Sequence, residues 1–369
     1  MRSGSNITVS CPIRLGAWLP VVVWLAGGLV AWSVAAAPAD LQTAVAAYRS
    51  GDFPAAVRAL RPLAEHGDPR ARVWMGVLYD RGRGVRRNPA TAVRWYRRAA
   101  AGGDVIAEFN LGWHYAHGLG VRRDPRMALR WYRQAAAHGG VQAMIVLGSL
   151  YDEGRGVPKD PARALAWYRG AAGHGSALGA FNVGWHYDRG LGVARDVRRA
   201  LGWYRRAARN GSALAQYTLG WHYDHGDGVV ADARAAARWY RRAAERGFVA
   251  AQFNLGWDYE HGHGVARAAT QAAYWYRKAA EAGDARARLA LGRLYYTGRG
   301  VPEDAVQARM WAGLAAAQGD AAAERAVVFL DRRLSPEKIA AARRLALRRQ
   351  GAARTIRAID PAPLPRDLR

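Results

Sequence analysis

Residues 104–139 read DVIAEFNLGWHYAHGLGVRRDPRMALRWYRQAAAHG and contain the signals for two helices and the loop between them. Asp104 can accept hydrogen bonds from the first free amide groups of a helix. An apolar stripe at helical spacing follows it, formed by Ala107, Leu111 and Tyr115. Gly118 and Gly120 end this helix, because glycine adopts the left-handed backbone of a helix end at least cost. We therefore predict a first helix, helix A, over about residues 105–117.

A second helix, helix B, begins at Asp124 and Pro125. The aspartate can cap the helix, and proline is tolerated at the first helical position because the amide hydrogen that it lacks would be unpaired there. The apolar residues that follow at helical spacing are Ala128, Trp131, Tyr132 and Ala135. Gly139 ends helix B, so the segment predicts two antiparallel helices.

This helix pair recurs with a constant step of 36 residues through seven copies, here repeats 1 to 7. The glycine inside helix A recurs as Gly76, Gly112, Gly148, Gly184, Gly220, Gly256 and Gly292. The tryptophan of helix B recurs as Trp95, Trp131, Trp167, Trp203, Trp239, Trp275 and Trp311. A fixed period of this size predicts an all-α solenoid, since one pair alone cannot bury its aromatic face. A glycine inside a helix costs about 1 kcal/mol relative to alanine, so we expect the next helix to approach closely there.

The pattern LGWHYAHGLGVRRDPRMALRWYRQAA in residues 111–136 resembles the Sel1-like repeat, a relative of the tetratricopeptide repeat with a longer loop inside each pair. The resemblance covers residues 68–319 and implies a right-handed solenoid. Mild departures from the family pattern are Asn88, Ala268, Met75, Val183 and Ala312. We expect none of them to change the fold.

The segments on either side of the repeats are predicted to cap them. Residues 40–67 resemble a shorter helix pair of tetratricopeptide character and would cap the first repeat. Residues 320–349 would form the C-terminal capping helices, with a last helix from Ser335 to about Arg349. We expect residues 350–369 to be a disordered basic tail.

The N-terminal segment, residues 1–39, has the pattern of an export signal. Residues 15–37 contain no charge and follow Arg2 and Arg14, which is typical of a signal peptide. The apolar run is also long enough for an uncleaved anchor, for which about 20 residues suffice. Either alternative predicts export to the periplasm, free or anchored in the inner membrane facing it. Cys11, the single cysteine, lies in this segment, so we expect neither a disulfide nor a cysteine metal site.

The chain carries 55 Lys and Arg against 29 Asp and Glu, a net charge of +26. Such a charge favours anionic partners, and export argues against nucleic acid and for an acidic polysaccharide or a membrane surface. Arginines that follow each Trp-Tyr pair should form a solvated stripe on helix B, or dock an anionic polymer; examples are Arg97-Arg98, Arg205-Arg206 and Arg241-Arg242. Residues 331–369 add a further basic end.

Four positions of helix A share a face away from the apolar stripe, at i, i+3, i+4 and i+7. We predict that these positions form a polar and aromatic ladder on the concave surface of the solenoid and bind a partner. The ladder comprises Asn110, Trp113, His114 and His117; Asn182, Trp185, His186 and Arg189; Thr218, Trp221, His222 and His225; and Asn254, Trp257, Asp258 and His261. The alternative is that its tryptophans only pack neighbouring repeats, and solvent exposure distinguishes the two.

Other site chemistries are disfavoured. His114 and His117, like His222 and His225, have a spacing that can bind zinc, but no H-E-x-x-H general base accompanies them, and we predict no metal. The G-x-G-V loops follow helices and not strands, so they do not predict a dinucleotide site, and we expect no cofactor. No nucleophile, base and orienting group recur at a workable spacing, so we predict no catalytic residues.

The resemblance implies an adaptor that holds other proteins, and exported members of the family imply roles in the cell envelope. Our leading hypothesis is a non-catalytic scaffold for a protein partner in the envelope. The alternative is a binder of carbohydrate or of an anionic envelope polymer, and a weak cell-wall hydrolase is the third hypothesis. The sequence leaves the oligomeric state open.

Overall fold

The structure, a computed structural model, describes the backbone of residues 39–359 and the side chains of residues 40–349. Apart from Ala39, the predicted export segment lies outside the described residues. The described chain is helical with no strand, and it divides into two compact units between Ala194 and Arg195. Within residues 39–359, no helix combines the length and apolarity needed to cross a membrane.

Unit 1 contains nine helices in the described chain, each of 12 or 13 residues. They are α1 (Ala39–Ser50), α2 (Phe53–Glu65), α3 (Pro69–Arg81), α4 (Pro89–Ala100), α5 (Val105–His117), α6 (Pro125–Ala137), α7 (Val141–Glu153), α8 (Pro161–Gly173) and α9 (Ala177–Arg189). From α3 onward they alternate as helix A and helix B. The first pair, α1 and α2, contributes Tyr48 and Leu60 to a core shared with Trp74 of α3.

Unit 2 contains the remaining nine described helices. They are α10 (Val197–Arg209), α11 (Ala213–His225), α12 (Ala233–Glu245), α13 (Val249–His261), α14 (Ala269–Glu281), α15 (Ala285–Thr297), α16 (Ala305–Ala316), α17 (Ala321–Asp331) and α18 (Pro336–Ile359). The core of this unit includes Tyr240 of α12, which is buried together with Leu255 of α13.

The ends of α5 and α6 show why the helices begin and end where the sequence predicts. The Asp104 carboxylate accepts hydrogen bonds from the amides of Ile106 and Ala107. Gly118 follows α5 with φ +69°, and its amide donates to the carbonyl of His114. Asp124 caps α6 in the same way as Asp104 caps α5. The predicted bounds of helix A, residues 105–117, are therefore confirmed.

The glycine inside helix A makes room for a tyrosine ring. A Cβ atom built on Gly112 would lie 2.6 Å from the ring of Tyr132 on α6. A Cβ atom built on the equivalent glycines would lie 2.4 to 2.7 Å from a tyrosine ring of helix B; these are glycines 76, 148, 220 and 256. The expected close approach is confirmed, and the approaching group is the second aromatic residue of the helix B Trp-Tyr pair.

A hydrogen bond between an arginine and a tyrosine 18 residues later links helix B of one repeat to helix A of the next. Arg97 donates to the Tyr115 hydroxyl at 2.7 Å. In unit 1 the same bond joins Arg61 to Tyr79, Arg133 to Tyr151 and Arg169 to Tyr187. In unit 2 it joins Arg205 to Tyr223, Arg241 to Tyr259 and Arg277 to Tyr295. The stacking of repeats thus has a polar bond as well as an apolar core.

The C-terminal helix is longer than predicted. The sequence predicts its end near Arg349 and disorder from residue 350, but α18 continues to Ile359, so the prediction is wrong for residues 350–359. Most residues from 345 to 359 are alanine, leucine or arginine, which are strong helix formers, and the single Gly351 does not outweigh them. Residues 360–369 of the predicted tail lie outside the described residues.

Candidate interaction surface on the first helices

The histidine position of the predicted ladder is buried in unit 1. The side chain of His114 is 1% exposed. Its Nε2 lies 2.8 Å from Asp80 Oδ2 in the preceding repeat, and its Nδ1 lies 2.7 Å from the carbonyl oxygen of Leu119. His186 makes the same contacts with Asp152 and Leu191 at 3.0 and 2.9 Å. The prediction that these two histidines face a partner is therefore wrong, because both ring nitrogens are used to join the protein to itself.

The same position is also buried in unit 2. His222 is 1% exposed, and its Nδ1 lies 3.0 Å from the carbonyl oxygen of Asp227. Asp258, which replaces the histidine in repeat 6, is fully buried. Its Oδ1 lies 3.4 Å from Nδ1 of His263, in the loop that follows helix A. His222 and Asp258 thus belong to the interior and not to an open surface.

The asparagine position divides between the interior and the surface. Asn110 and Asn182 are buried, with 6% and 3% exposure, so their prediction as surface groups is wrong. Asn254 is half-buried. In the side chains that the structure describes, the Nδ2 atoms of Asn110 and Asn182 have no hydrogen-bond partner. Both residues stand one helical turn before a tryptophan of the ladder.

The remaining two positions of the ladder reach solvent. Trp221 is 37% exposed, and Trp113, Trp185 and Trp257 are half-buried. The residues four positions later are exposed; they are His117, Arg189, His225 and His261. The four positions that the sequence places on one face therefore differ in burial. The histidine position and two of the asparagines pack inside the protein, whereas the tryptophan position and the last position reach solvent.

Each accessible tryptophan lies against the side chain four residues later. The ring centroids of Trp113 and His117 are 3.7 Å apart, and those of Trp221 and His225 are 4.4 Å apart. Trp257 and His261 are stacked at 4.2 Å, and the guanidinium of Arg189 lies 4.6 Å from the Trp185 ring. We call these four the Trp pairs. Partner binding by them stays a prediction.

A backbone contact fixes the imidazole of each Trp pair that contains histidine. Nδ1 of His117 lies 2.9 Å from the carbonyl oxygen of Trp113, and the same distance recurs for His225 with Trp221 and for His261 with Trp257. The imidazoles are therefore held on the indole face, with little freedom left in either ring. His114 has both nitrogens engaged, so it has none left to share with His117 in a zinc site.

The acidic partners of the buried histidines were not predicted from the sequence. Asp80 accepts from the hydroxyl of Tyr96 at 3.2 Å as well as contacting His114, and Asp152 does the same with Tyr168 and His186. A signal was present, because the acid and the histidine are 34 residues apart in both cases. In the next repeat, Ala116 stands at the position of Asp80, and Leu150 stands at the position of His114. Both polar residues of the pair are therefore replaced by apolar ones.

The arginines of helix B are only partly a solvated stripe. Arg97 and Arg98 are exposed, whereas Arg205 and Arg206 are half-buried. The first arginine of each pair bonds to the tyrosine described above. The second lies over a tryptophan of its own helix: Arg98 over Trp95 at 5.1 Å, Arg206 over Trp203 at 5.3 Å and Arg242 over Trp239 at 4.7 Å. Much of this charge therefore supports packing.

Stacked helix pairs with a 36-residue period, joined by repeating polar bonds, define an α-helical repeat protein. The profile of the Sel1 repeat matches seven consecutive segments, residues 69–104, 105–140, 141–176, 177–212, 213–248, 249–284 and 285–320. The chain belongs to the Sel1 repeat family, and the predicted family and all-α solenoid fold are confirmed.

Solved structures of Sel1 repeat proteins resemble this chain. A Sel1 repeat protein from Oxalobacter formigenes is 32% identical, with a TM-score of 0.64 over 80% of this chain and 92% of that chain. A protective antigen of uropathogenic Escherichia coli strains, with an SLR fold, is 30% identical over 84% of this chain and 75% of that one, with a TM-score of 0.47. A comparison with curated proteins gives no match. Sel1 repeat proteins generally act as protein-interaction scaffolds and are typically non-catalytic.

Proposed function

We propose that this protein is a non-catalytic scaffold of the cell envelope that binds a protein partner through its Trp pairs. The observation that carries the proposal is that three accessible tryptophans, Trp113, Trp221 and Trp257, each lie against a histidine whose imidazole contacts a backbone carbonyl oxygen. Trp221 with His225 is the most exposed example. The proposal assigns no role in binding to the buried residues Asn110, His114, Asn182, His186, His222 and Asp258.

Fixed aromatic groups suit protein recognition for an energetic reason. Tryptophan supplies a large contact area at a low cost in conformational entropy, and it is enriched among the residues that dominate binding energy. A ring that is already ordered before binding loses less freedom when the partner arrives. The hydrogen-bonding contact from His225 to the carbonyl oxygen of Trp221, at 2.9 Å, gives this preorganisation.

The two units offer different arrangements of Trp pairs. In unit 2, Trp221 and Trp257 occupy consecutive repeats. In unit 1, the repeat between Trp113 and Trp185 holds Ser149, whose hydroxyl donates to Glu153 at 3.0 Å. The partner surface that we propose is therefore aromatic in consecutive repeats of unit 2 and interrupted by a polar repeat in unit 1.

The location in the envelope rests on the N-terminal sequence. An uncharged apolar run over residues 15–37, preceded by Arg2 and Arg14, supports export to the periplasm, either with cleavage or as an anchor in the inner membrane. We place the repeats, and with them the partner, outside the cytoplasm. Fractionation of cells that express the tagged protein tests this location, and recovery in the cytoplasm would contradict it.

Capture from an envelope extract tests the binding proposal. The full-length protein should recover a stoichiometric partner, and the Trp221→Ser/Trp257→Ser variant should bind that partner at least about 2 kcal/mol more weakly, as expected for central interface residues. Serine already occupies this position as Ser149, so the fold should tolerate it.

Tyr274→Ser is the matched control, because Tyr274 is a 49% exposed aromatic residue of helix B in the same unit. It should leave capture unchanged, and circular dichroism should show the same helix content for all variants. Undiminished capture by the double tryptophan variant, or an equal loss with Tyr274→Ser, would show that the Trp pairs are not the binding surface.

A further inference from the structure

An open groove of about 720 Å³ in unit 1 has four arginines among its lining residues. It lies where the loop of repeat 2 meets the start of α6, and the loop of repeat 3 borders it at Gly156. These four arginines are Arg97, Arg122, Arg123 and Arg126. The size is within the usual range of pockets for small ligands, about 300–1,000 Å³.

Two of the four guanidinium groups are not used by the fold. Arg97 donates to Tyr115, and Nε of Arg123 donates to the carbonyl oxygen of Ala116 at 3.2 Å. The side chains of Arg122 and Arg126 are exposed and form no hydrogen bond or ion pair with the residues that the structure describes. Their donors are therefore available to a ligand.

One acidic residue lines the groove, and one oxygen of its carboxylate is already engaged. Oδ1 of Asp124 accepts hydrogen bonds from the backbone amides of Arg126 and Met127, at 2.9 and 3.0 Å, as the cap of α6. The lining residues thus include four positive residues and one negative residue. The excess of positive charge attracts anions at short range.

The repeats themselves show that the fold does not need Arg122 or Arg126. The residues at the position of Arg122 in later repeats are Pro158, Ala194, Val230, Ala266 and Pro302. The position of Arg126 holds Ala90 and Ala162 in the neighbouring repeats. By contrast, the position of Arg97 holds arginine in every repeat from 1 to 6, where it bonds to a tyrosine. The fold accounts for Arg97 but not for Arg122 and Arg126.

We propose that this groove binds a ligand that carries two or more phosphate or carboxylate groups. Guanidinium groups present paired donors that match the oxygens of both groups, and such charged hydrogen bonds are stronger than neutral ones. Several guanidiniums around one groove select a ligand with several anionic groups over a single anion. The site is separate from the Trp pairs, so it stands or falls independently of the proposed protein scaffold.

Isothermal titration of the full-length protein tests the site with two probes, inorganic tripolyphosphate for phosphate and trigalacturonate for carboxylate. At low salt we expect at least one of them to bind with a stoichiometry of one. Arg122→Ala/Arg126→Ala should weaken that binding by roughly tenfold for each lost guanidinium. Salt at 1 M, where the screening length is about 3 Å, should also weaken binding of the probe to the unaltered protein.

The matched control is Arg198→Ala/Arg234→Ala, which removes two exposed arginines at the position of Arg126 in repeats 4 and 5. It changes the net charge by the same amount, and we expect it to keep the affinity of the unaltered protein. Failure of both probes to bind overturns the proposal. An equal loss in the two double variants overturns it as well, because binding would then follow total charge and not this groove.

Discussion

His114 of repeat 2 and Asp80 of repeat 1 meet in the interior, with Nε2 and Oδ2 2.8 Å apart and side chains that are 1% and 7% exposed. The pair joins consecutive helices A across 34 residues of sequence. The Tyr96 hydroxyl donates to the same carboxylate, so three side chains share one buried polar cluster. Burial makes each member dependent on the others, because a polar group that loses its partner inside a protein is not solvated by water.

Removing one partner of this pair should lower the free energy of unfolding more than removing both partners. We expect His114→Leu to lower the free energy of unfolding by about 2 kcal/mol, since it leaves the Asp80 carboxylate short of a partner. The double variant Asp80→Ala/His114→Leu should recover most of that loss, because it reproduces the natural combination of Ala116 and Leu150. Urea unfolding of the unaltered protein, the two single variants and the double variant measures the coupling energy between Asp80 and His114. Additive effects of the two substitutions would show that the contact does not stabilise the stacking of repeats.

Gly112 should not accept a side chain. Gly112→Ala places a methyl group 2.6 Å from the Tyr132 ring and should destabilise the protein by about 1–3 kcal/mol, the usual cost of overpacking. Gly202, in α10, has no neighbouring atom within 4 Å of the point that an alanine methyl group would occupy, so Gly202→Ala should stabilise the protein by about 0.5–1 kcal/mol. Thermal unfolding compares the two variants. A loss of stability in both would contradict the explanation that the Tyr132 ring excludes a side chain at Gly112.

Repeat 6 has an imperfect start to helix B that a substitution should improve. Ala268 stands at the position of Asp124 and makes no side-chain cap hydrogen bond to α14. Ala268→Asp should therefore stabilise the protein by about 1 kcal/mol, as a restored helix cap does. Ala266→Asp adds the same charge in the exposed loop, two residues too early to cap. Chemical denaturation measures the stability of both variants. An equal gain in the free energy of unfolding for Ala268→Asp and Ala266→Asp would assign the effect to net charge and not to capping.

The protein should lose stability in alkali. Burial, reinforced by the Asp80 carboxylate, raises the pKa of Tyr96 well above its usual value of 10.0. In the unfolded chain the phenol loses its proton near pH 10, while in the folded chain it keeps it, so the unfolded state is increasingly favoured as pH rises above about 10. The contribution of Tyr96 is therefore complete below pH 10 and falls by about 1.4 kcal/mol per pH unit above it.

Urea midpoints between pH 8 and pH 11 measure this loss. The Tyr96→Phe variant should show a shallower decline than the unaltered protein, because its ring has no proton to lose. Other buried tyrosines, such as Tyr132, whose pKa burial also raises, keep part of the slope in both proteins. An identical pH dependence with phenylalanine would mean that Tyr96 ionises as easily in the folded chain as in the unfolded one.

The fold could be predicted from the sequence because its determinants are local. Asp104 and Asp124 cap helices through amides two or three residues away, and Gly118 ends a helix through its own backbone angles. The long C-terminal helix was missed beyond residue 349, since the end of a helix without a strong stop signal depends on small differences in propensity.

The candidate site was predicted less well than the fold. Helical periodicity correctly grouped Trp113, His114 and His117 on one side of helix A, but it could not tell how much of that side the next repeat covers. One residue of the three is buried against Asp80, and the rings of the other two pack together in contact with solvent. Sequence spacing defines an angle on one helix, whereas burial depends on the distance to another helix.

The sequence alone determined the helix pair, its 36-residue period and the glycine that admits the next aromatic ring. Each of these depends on backbone angles or on side-chain volume within one repeat. Only the tertiary structure decided that the histidine column joins the repeats and that Arg122 and Arg126 have no partner in the described chain. Those outcomes depend on atoms separated by 34 residues or by a loop, and only the stacking of one helix pair on the next brings such atoms together or leaves them apart.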